Sequence, residues 1–147
     1  MLKKNCRRGF SLIELLTVMS IIAILAAIAI PIYKAQLITA RLVEVTNAMS
    51  HISTALVNYR REGENAWPNC GSIPEIQTSL GVGLSALTRI RSASVDPVTG
   101  RISVTVTNID PSIDGGTITL EPSIVADSSI VWNWSGTLPA KLIPKVK

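Results

Sequence analysis

The strongest constraint on the fold is an uninterrupted apolar run that begins near the start of the chain. The 23 residues from Phe10 to Ile32 contain one charged side chain, Glu14. As an α-helix this run is about 34 Å long, which matches a hydrocarbon core of about 30 Å. A chain of 147 residues has room for one domain, which is too small to cover so long an apolar helix. The run therefore predicts a helix that enters a membrane.

Basic residues precede the run. Lys3, Lys4, Arg7 and Arg8 are four of the 14 Lys and Arg residues, and without them ten basic residues face ten acidic ones. A basic end followed by an apolar run is the layout of an export signal. An ordinary cleavable signal has an apolar region of only about 7 to 15 residues, so this one is long enough to stay in the membrane. The neutral remainder gives no support to nucleic acid binding.

Two cleavage sites compete in this region. Ala27-Ile28-Ala29 fits the small-x-small pattern of the general signal peptidase. Two features oppose this site, since Pro31 would follow the first residue of the product and the run before the cut would already span a bilayer. The second site is the peptide bond after Gly9.

Glu14 is the most informative residue of the chain. A carboxylate in hydrocarbon costs on the order of 2.5 to 3.5 kcal/mol and normally has a partner. The run contains no Lys or Arg. Cleavage after Gly9 would create an α-amino group on Phe10, and that amine, on the same or a neighbouring chain, would offset the charge of Glu14 in an apolar assembly. Glu14 and the new terminus are therefore a candidate assembly site.

The segment Arg7-Arg8-Gly9-Phe10-Ser11-Leu12-Ile13-Glu14-Leu15-Leu16 resembles the class III signal of type IV pilins and pseudopilins. The resemblance implies that a membrane peptidase cuts after Gly9 and that Phe10 becomes the N-methylated first residue. It also implies that Glu14 sets the register between subunits. Pro31 stands where the long helix of this family commonly carries a kinking proline.

Beyond Pro31 the helix is predicted to continue. Apolar residues recur at alternating spacings of four and three, which predicts one helix face buried against a partner surface. They are Ile38, Leu42, Val45, Met49, Ile52, Leu56 and Tyr59. A coiled coil gives the same spacing, but only about three heptads are present and strand-like sequence follows. The helix is predicted to end at Arg61, with Gly63 as its C-cap.

The rest of the chain predicts a small antiparallel sheet. Ser72-Ile73-Pro74-Glu75 has the pattern of a capping box that opens a short helix through Leu80. Alternating apolar and polar residues predict four strands, at Ile90–Val95, Arg101–Ile109, Thr117–Glu121 and Ile130–Trp134. The predicted fold class is α+β: a long N-terminal helix, kinked near Pro31, packed on a four-stranded antiparallel β-meander head.

These expectations divide the chain into three parts. Residues 1–9 form a cleaved basic leader, residues 10–33 the transmembrane and filament-core half of the helix, and residues 34–147 the rest of the helix and the globular head. Cys6 would leave with the leader, so Cys70 is predicted to be a buried thiol, an intermolecular partner or a modification site. The tail resembles that of type IVa pilins, but Trp134 stands where those pilins usually have a cysteine, so packing must hold the tail.

Other candidate sites carry weaker signals. Asp110, Asp114 and Asp127 could ligate calcium as in some secretion pseudopilins, although β-turns need the same residues. His51 has no second histidine or acidic partner for catalysis. Asn133-Trp134-Ser135 fits the N-glycosylation pattern, a short match with many false positives. The sequence therefore predicts no catalytic residue, metal or cofactor.

The resemblance implies a major structural subunit of a type IV pilus. Such a subunit is held in the inner membrane by one helix and then polymerises into an extracellular fibre for adhesion, twitching motility or DNA uptake. The expected partners are identical subunits, the prepilin peptidase and methyltransferase, the inner-membrane assembly machinery and, before assembly, the lipid bilayer. Two alternatives stay open: a type II secretion pseudopilin or minor pilin, and a signal-anchored periplasmic binding module or enzyme that does not polymerise.

Overall fold

A computed structural model describes residues 9–63, 66–84, 86–126 and 129–144. The basic residues predicted for the leader and the candidate calcium ligand Asp127 lie outside the described residues. The chain divides into two compact units, one up to Leu37 and one from Ile38 onwards. Each unit is described by itself.

Among the described residues, a long helix is followed by an antiparallel sheet, so the predicted α+β fold is confirmed. The helices are α1 (Leu12–Glu62) and α2 (Ile73–Leu80), and a short 3-10 helix at Leu87–Arg89 precedes the sheet. The strands are β1 (Ile90–Val95), β2 (Ile102–Val106), β3 (Thr117–Ile124) and β4 (Ile130–Gly136). They are hydrogen-bonded in the order β1-β2-β3-β4, which is a meander.

The second half of α1 buries most of its predicted apolar stripe. Its buried residues are Leu42, Val45, Ala48, Met49, Ile52, Ser53 and Leu56. Ile38 is half-buried and packs against the same core. Tyr59 is 38% exposed, so its predicted place in the stripe is wrong. Tyr59 lies in the last turn of α1, which ends at Glu62, and it follows Leu56, the last buried residue of the helix.

The sheet buries one face against this stripe. On β2 the buried residues Ile102, Val104 and Val106 alternate with half-buried Ser103 and Thr105, as the sequence predicts. The core also takes in side chains from loops and from α2, including Ile76, Ile109, Ile113 and Leu138. Cys70 is a free, fully buried thiol, which agrees with the first of the three roles predicted for it.

The end of β2 differs from the prediction. The strand stops at Val106 instead of Ile109 because Asn108 adopts a positive φ of 55°, which is incompatible with an extended strand. Asn108 is held in that conformation by its side-chain amide, which donates to the carbonyl of Thr88 at 3.1 Å. Asparagine tolerates this left-handed region better than most residues.

The last two strands are longer than predicted. β3 continues past Glu121 to Ile124 and includes Pro122, which pairs with Trp132 of β4. Pairing between β2 and β3 stops at Leu120, so β3 has one neighbouring strand at Pro122, and a proline is tolerated at such an edge. β4 likewise runs two residues beyond the predicted end at Trp134.

The short helix α2 confirms its prediction, but its capping differs. Ser72 is the N-cap residue and its side chain makes no capping hydrogen bond. The carboxylate of Glu75 instead accepts from the backbone N–H of Gly71 at 2.6 Å. Gly81 ends the helix with a φ of 63°, a conformation that glycine adopts without steric cost.

Two arginines tie α1 to the loops beside the sheet. Arg41 donates from Nη1 to the carbonyl of Ile109 at 2.6 Å. Arg89, at the end of the 3-10 helix, forms an ion pair with Glu44 of α1, in which Nε lies 3.5 Å from Oε2. Its Nη1 also donates to the carbonyl of Asn108. The charge-assisted hydrogen bond of Arg41 and the ion pair of Arg89 with Glu44 thus connect α1 to the loops beside the sheet.

The tail is held without a cysteine, as the sequence predicts. Leu138 is buried, and Trp132 and Trp134 pack against the core. Thr137 and Thr117 exchange two hydrogen bonds, from the N–H of Thr137 to the carbonyl of Thr117 and from the N–H of Thr117 to the hydroxyl of Thr137, both 2.9 Å. Packing and backbone pairing therefore anchor the residues that follow β4.

Candidate processing and assembly segment

The predicted processing site lies on exposed, non-helical backbone. Gly9 and Phe10 precede α1, and Phe10 is 75% exposed. A Cβ added to Gly9 would meet nothing within 4 Å among the described residues. Within the described residues, both residues that flank the predicted cut are thus exposed.

Glu14 lies in the first turn of α1 and caps it. Its Oε2 accepts from the backbone N–H of Ser11 at 3.3 Å, while the carbonyl of Ser11 accepts from the N–H of Leu15 at 3.2 Å. This is one half of a capping box, in which an acid at the third helical position reaches back to the N-cap residue. A carboxylate there also interacts favourably with the helix dipole. Glu14 thus has a local role besides its predicted role in assembly.

The local role of Glu14 was not predicted, although its signal is present in the sequence. Ser11-Leu12-Ile13-Glu14 has the same S-x-x-E pattern that predicted the start of α2. In α2 the pattern is present but Glu75 bonds to Gly71, whereas at the start of α1 Glu14 bonds to Ser11 itself.

The neutral polar groups farther along the run are satisfied within the helix. Thr17 donates its hydroxyl to the carbonyl of Glu14 at 2.9 Å, and Ser20 donates to the carbonyl of Leu16 at 2.8 Å. Backbone-bonded hydroxyls are tolerated in an apolar environment because no donor is left unpaired. Glu14, by contrast, is the one charged side chain between Phe10 and Ile32. Its carboxylate can accept further hydrogen bonds besides the one from Ser11.

The first half of α1 and the residues before it expose their large apolar side chains. They are Phe10, Leu12, Ile13, Leu15, Leu16, Val18, Met19, Ile21, Ile22, Ile24, Leu25, Ile28, Ile30, Ile32 and Tyr33. Within the described residues α1 is long and apolar enough to cross a membrane, with a mean hydropathy of 2.7 over its most apolar 18-residue stretch, none of it buried. So large an exposed apolar surface requires a cover of lipid or of other protein.

Pro31 lies inside α1, and the helix continues on both sides of it. Because proline has no backbone N–H, the carbonyl of Ala27 lacks its usual partner four residues later. A bend at this point is the expected response, and the kink near Pro31 stays a prediction.

Of the predicted site residues, Glu14 lies in the first turn of α1 and Gly9 and Phe10 lie immediately before that turn. Pro31 lies farther along the same helix. Candidate sites elsewhere have structural roles. Asp114 accepts from the N–H groups of Ile109 and Asp110, at 2.9 and 3.2 Å. Such bonds are those of a loop, and the described residues contain no cluster of three potential metal ligands.

His51 and Asn133 are both exposed. His51 lies on α1, and the side-chain amide of Asn133 donates to the hydroxyl of Ser123 at 2.8 Å. Neither residue belongs to a described cluster with catalytic geometry.

An aromatic cluster anchors the loop before α2. The guanidinium of Arg60 lies 4.6 Å from the centroid of the Trp67 ring, and Trp67 meets Trp132 edge to face at 6.5 Å. A Cβ added to Gly100 would lie 2.5 Å from Cε2 of Trp67. The ring of Trp67 therefore packs where only glycine leaves room.

Two family descriptions match the chain in separate segments. "Prokaryotic N-terminal methylation motif" matches residues 4–30, and "Pilin (bacterial filament)" matches residues 38–146. The first segment contains Gly9, Phe10 and Glu14. The second contains the head, and it starts at the same residue as the second compact unit.

Individual relatives carry the same kind of name. Fimbrial protein EcpC of Eikenella corrodens is 28% identical over 143 residues, which cover 96% of this chain and 90% of that protein. Fimbrial protein of Moraxella nonliquefaciens is 39% identical over 59 residues, or 40% of this chain and 38% of that protein. Type IV major fimbrial protein FimA of Dichelobacter nodosus is 38% identical over 63 residues, or 43% of this chain and 39% of that protein.

Proposed function

Because the chain belongs to the pilin family and is a type IV pilin precursor, we propose that its mature form is the major subunit of a type IV pilus. The observation that carries this proposal is the apolar first half of α1, which is exposed in the isolated chain. Lipid covers this surface before assembly, and identical helices cover it in the fibre. The fibre would serve adhesion, twitching motility or DNA uptake.

The proposal assigns each part of the chain a stage. Residues 1–9 form a leader that is removed after Gly9, and Phe10 becomes the methylated first residue. Residues 10–33 hold the precursor in the inner membrane as a single span. Residues 34–147 complete the helix and form the head on the fibre surface. The partners at these stages are the prepilin peptidase and methyltransferase, the assembly machinery and further copies of the chain.

Glu14 acts in the step that moves the helix from lipid into the fibre. Apolar contact offers little net gain in that step, because lipid tails and leucine side chains are equally apolar. A charged pair favours the fibre instead: the carboxylate of Glu14 meets the amine of a processed Phe10 on a neighbouring copy, and neither group is left as an unpaired charge. Pilins are structural proteins, and we assign this chain no catalytic role.

Two measurements on the wild-type chain test the proposal. N-terminal sequencing and mass spectrometry of the exported protein should give a methylated Phe10 as the first residue. Electron microscopy of sheared surface material should show long fibres that contain this chain. A start at Met1 or Ile30 would indicate an anchored or secreted protein instead, and short fibres confined to a secretion system would indicate a pseudopilin.

A further inference from the structure

Two charged side chains delimit the most apolar part of α1. Glu14 and Lys34 lie on one uninterrupted helix, and no Asp, Glu, Lys, Arg or His stands between them. The 20 residues from one to the other correspond to about 30 Å of helix. The hydrocarbon core of a bilayer is about 30 Å thick, so a helix in this register has one charge at each edge of the core.

In this register neither charge enters hydrocarbon. A shift toward the head side is opposed by Glu14 and, before cleavage, by Arg7 and Arg8 of the leader, because a charged side chain in the apolar layer is unfavourable. A shift toward the leader side is opposed by Lys34. A span that ended at the next charged residue, Arg41, would need about 40 Å of helix, which is more than one bilayer core. Lys34 therefore limits how far the helix moves toward the leader side.

The start of α1 agrees with this register. Gly9 and Phe10 have non-helical backbone, and α1 begins at Leu12, two residues before Glu14. Backbone outside a helix leaves N–H and C=O groups unpaired, which hydrocarbon does not tolerate. The predicted cut therefore lies outside the hydrocarbon, on the leader side, when Lys34 lies at the opposite edge.

The side chains at the opposite edge suit the phosphate layer of the lipid. Tyr33 is 68% exposed, and Lys34 next to it is also exposed. Lys34 takes part in neither of the two ion pairs that the structure describes. Aromatic rings are favoured at membrane interfaces, and a lysine stem reaches from the hydrocarbon to the headgroups. A phenol hydroxyl and an ammonium group both donate hydrogen bonds, and the anion at this level is the phosphate of a phospholipid.

We propose that Lys34, assisted by Tyr33, binds phospholipid phosphate in the leaflet opposite the leader and so fixes the depth of the helix in the membrane. This role rests on the proposed function, in which residues 10–33 span the inner membrane once. It makes Lys34 a positioning residue for processing. The phosphate contact holds the bond between Gly9 and Phe10 at the level of the headgroups on the leader side, within reach of a membrane peptidase.

Substitutions of Lys34 test the depth. Lys34→Leu lengthens the apolar run, Lys34→Arg keeps a cation, and Lys141→Leu removes an exposed lysine of the head as a control. Each is combined with Gln36→Cys, at an exposed position two residues beyond Lys34. The new thiol is labelled in spheroplasts with a maleimide that does not cross the membrane. Cys70 is buried and adds no background.

Labelling of the new thiol should fall more than about tenfold in Lys34→Leu, because the lengthened run draws position 36 into the hydrocarbon. Cleavage after Gly9, followed by immunoblotting over time, should slow severalfold, because the cut moves away from the membrane. Both readouts should match the wild type in Lys34→Arg and Lys141→Leu. Unchanged labelling or unchanged cleavage in Lys34→Leu would overturn the inference and leave the proposed function intact. A wild-type chain that is not held in the membrane would overturn both.

Solid-state NMR tests the phosphate contact. The full chain, with isotope-labelled lysine nitrogens, is reconstituted in vesicles of phosphatidylcholine and phosphatidylglycerol. Lipid phosphorus should attenuate the Nζ signal of Lys34, so one attenuated component should be lost in Lys34→Arg and kept in Lys141→Arg. Lys3 and Lys4 of the leader contribute equally to both variants. Equal spectra from the two variants would contradict lipid binding. Attenuation in a phosphate-free detergent after addition of inorganic phosphate would indicate a site for free phosphate, which also contradicts the inference.

Discussion

From Leu12 to Leu37, α1 exposes nearly all its apolar side chains, whereas from Ile38 to Glu62 it buries one stripe of them. Both halves are regular α-helix with many aliphatic residues. The second half alternates apolar and polar positions and meets a sheet of its own chain. The first half is apolar on every face, which a sheet on one side could not satisfy. The first half is therefore suited to surroundings that the isolated chain does not contain.

Removal of Glu14, the one charged side chain between Phe10 and Ile32, should have the greatest effect. In Glu14→Ala a buried amine would lose its partner at a cost of about 3 to 5 kcal/mol per contact. Fibre yield, measured by shearing and immunoblotting, should therefore fall more than about tenfold. Processing at Gly9 and membrane levels should stay normal, because the cut precedes assembly.

Glu14→Gln is the matched control for helix capping. Glutamine keeps an oxygen that accepts from the N–H of Ser11 and serves in capping boxes, but it carries no charge. We expect it to fail like Glu14→Ala. Normal fibres from the glutamine variant would mean that Glu14 acts as a cap, and the charge-pairing role would be wrong.

The next effect tests the contrast between the halves with the same substitution. Leu56 in the second half is fully buried, so Leu56→Ala should lower the free energy of unfolding of the head by about 2 to 5 kcal/mol through lost contacts and a cavity. Leu25 in the first half is 61% exposed, so Leu25→Ala should leave that free energy unchanged within about 0.5 kcal/mol. Chemical denaturation of the full chain in detergent measures both. A loss of head stability in Leu25→Ala would contradict the separation of the halves.

A smaller difference is expected between two glycine substitutions that test the packing of the head around Trp67. Gly100 and Gly115 have φ values of 72° and 85°, but an added Cβ lies 2.5 Å from the Trp67 ring at Gly100 and meets nothing within 4 Å at Gly115. Gly115→Ala should destabilise by about 1 to 2 kcal/mol, the cost of the left-handed backbone. Gly100→Ala should cost about 1 to 3 kcal/mol more, because the ring must move. Equal losses by thermal or chemical denaturation would show that the Trp67 contact is loose.

The two halves also differ in how far sequence could predict them. Composition alone locates the first half, since a run of 23 mostly apolar residues with one acid is long enough to span a bilayer and too long for the core of so small a head. Alternating apolar and polar residues predict the four strands. The end of β2, however, depends on the conformation of Asn108, and the length of β3 depends on where its pairing with β2 stops. Both depend on contacts with residues distant in the chain, which local sequence patterns do not reveal.

The contacts that join distant parts of the head were beyond sequence reasoning. Arg41 binds the carbonyl of Ile109, and Gly100 makes room for Trp67, because the fold brings together residues far apart in the chain. The capping of α1 by Glu14 is the opposite case, since the S-x-x-E pattern is local and readable. The charge of Glu14 predicted a role in assembly, and its hydrogen bond within the first turn was missed.

The weakest effect is expected at Asp96, in the exposed turn between β1 and β2. The N–H of Val98 and then the hydroxyl of Thr99, at 2.8 and 3.0 Å, bind the carboxylate and hold the pKa of Asp96 below its ordinary value. A carboxyl with a lowered folded pKa stabilises the fold above its unfolded pKa, about 3.9, and this contribution is lost as pH falls through the folded pKa.

Asp96→Asn keeps an acceptor oxygen for the N–H of Val98 but removes the charge and the second oxygen, which accepts from the hydroxyl of Thr99. The wild-type head should be slightly more stable than the variant at neutral pH, and the difference should shrink as pH falls below about 4. Chemical denaturation of both chains from pH 7 to pH 3 measures it. A difference that is constant with pH would contradict a role for the ionised carboxylate, because ionisation of Asp96 is the part of the difference that changes across this range.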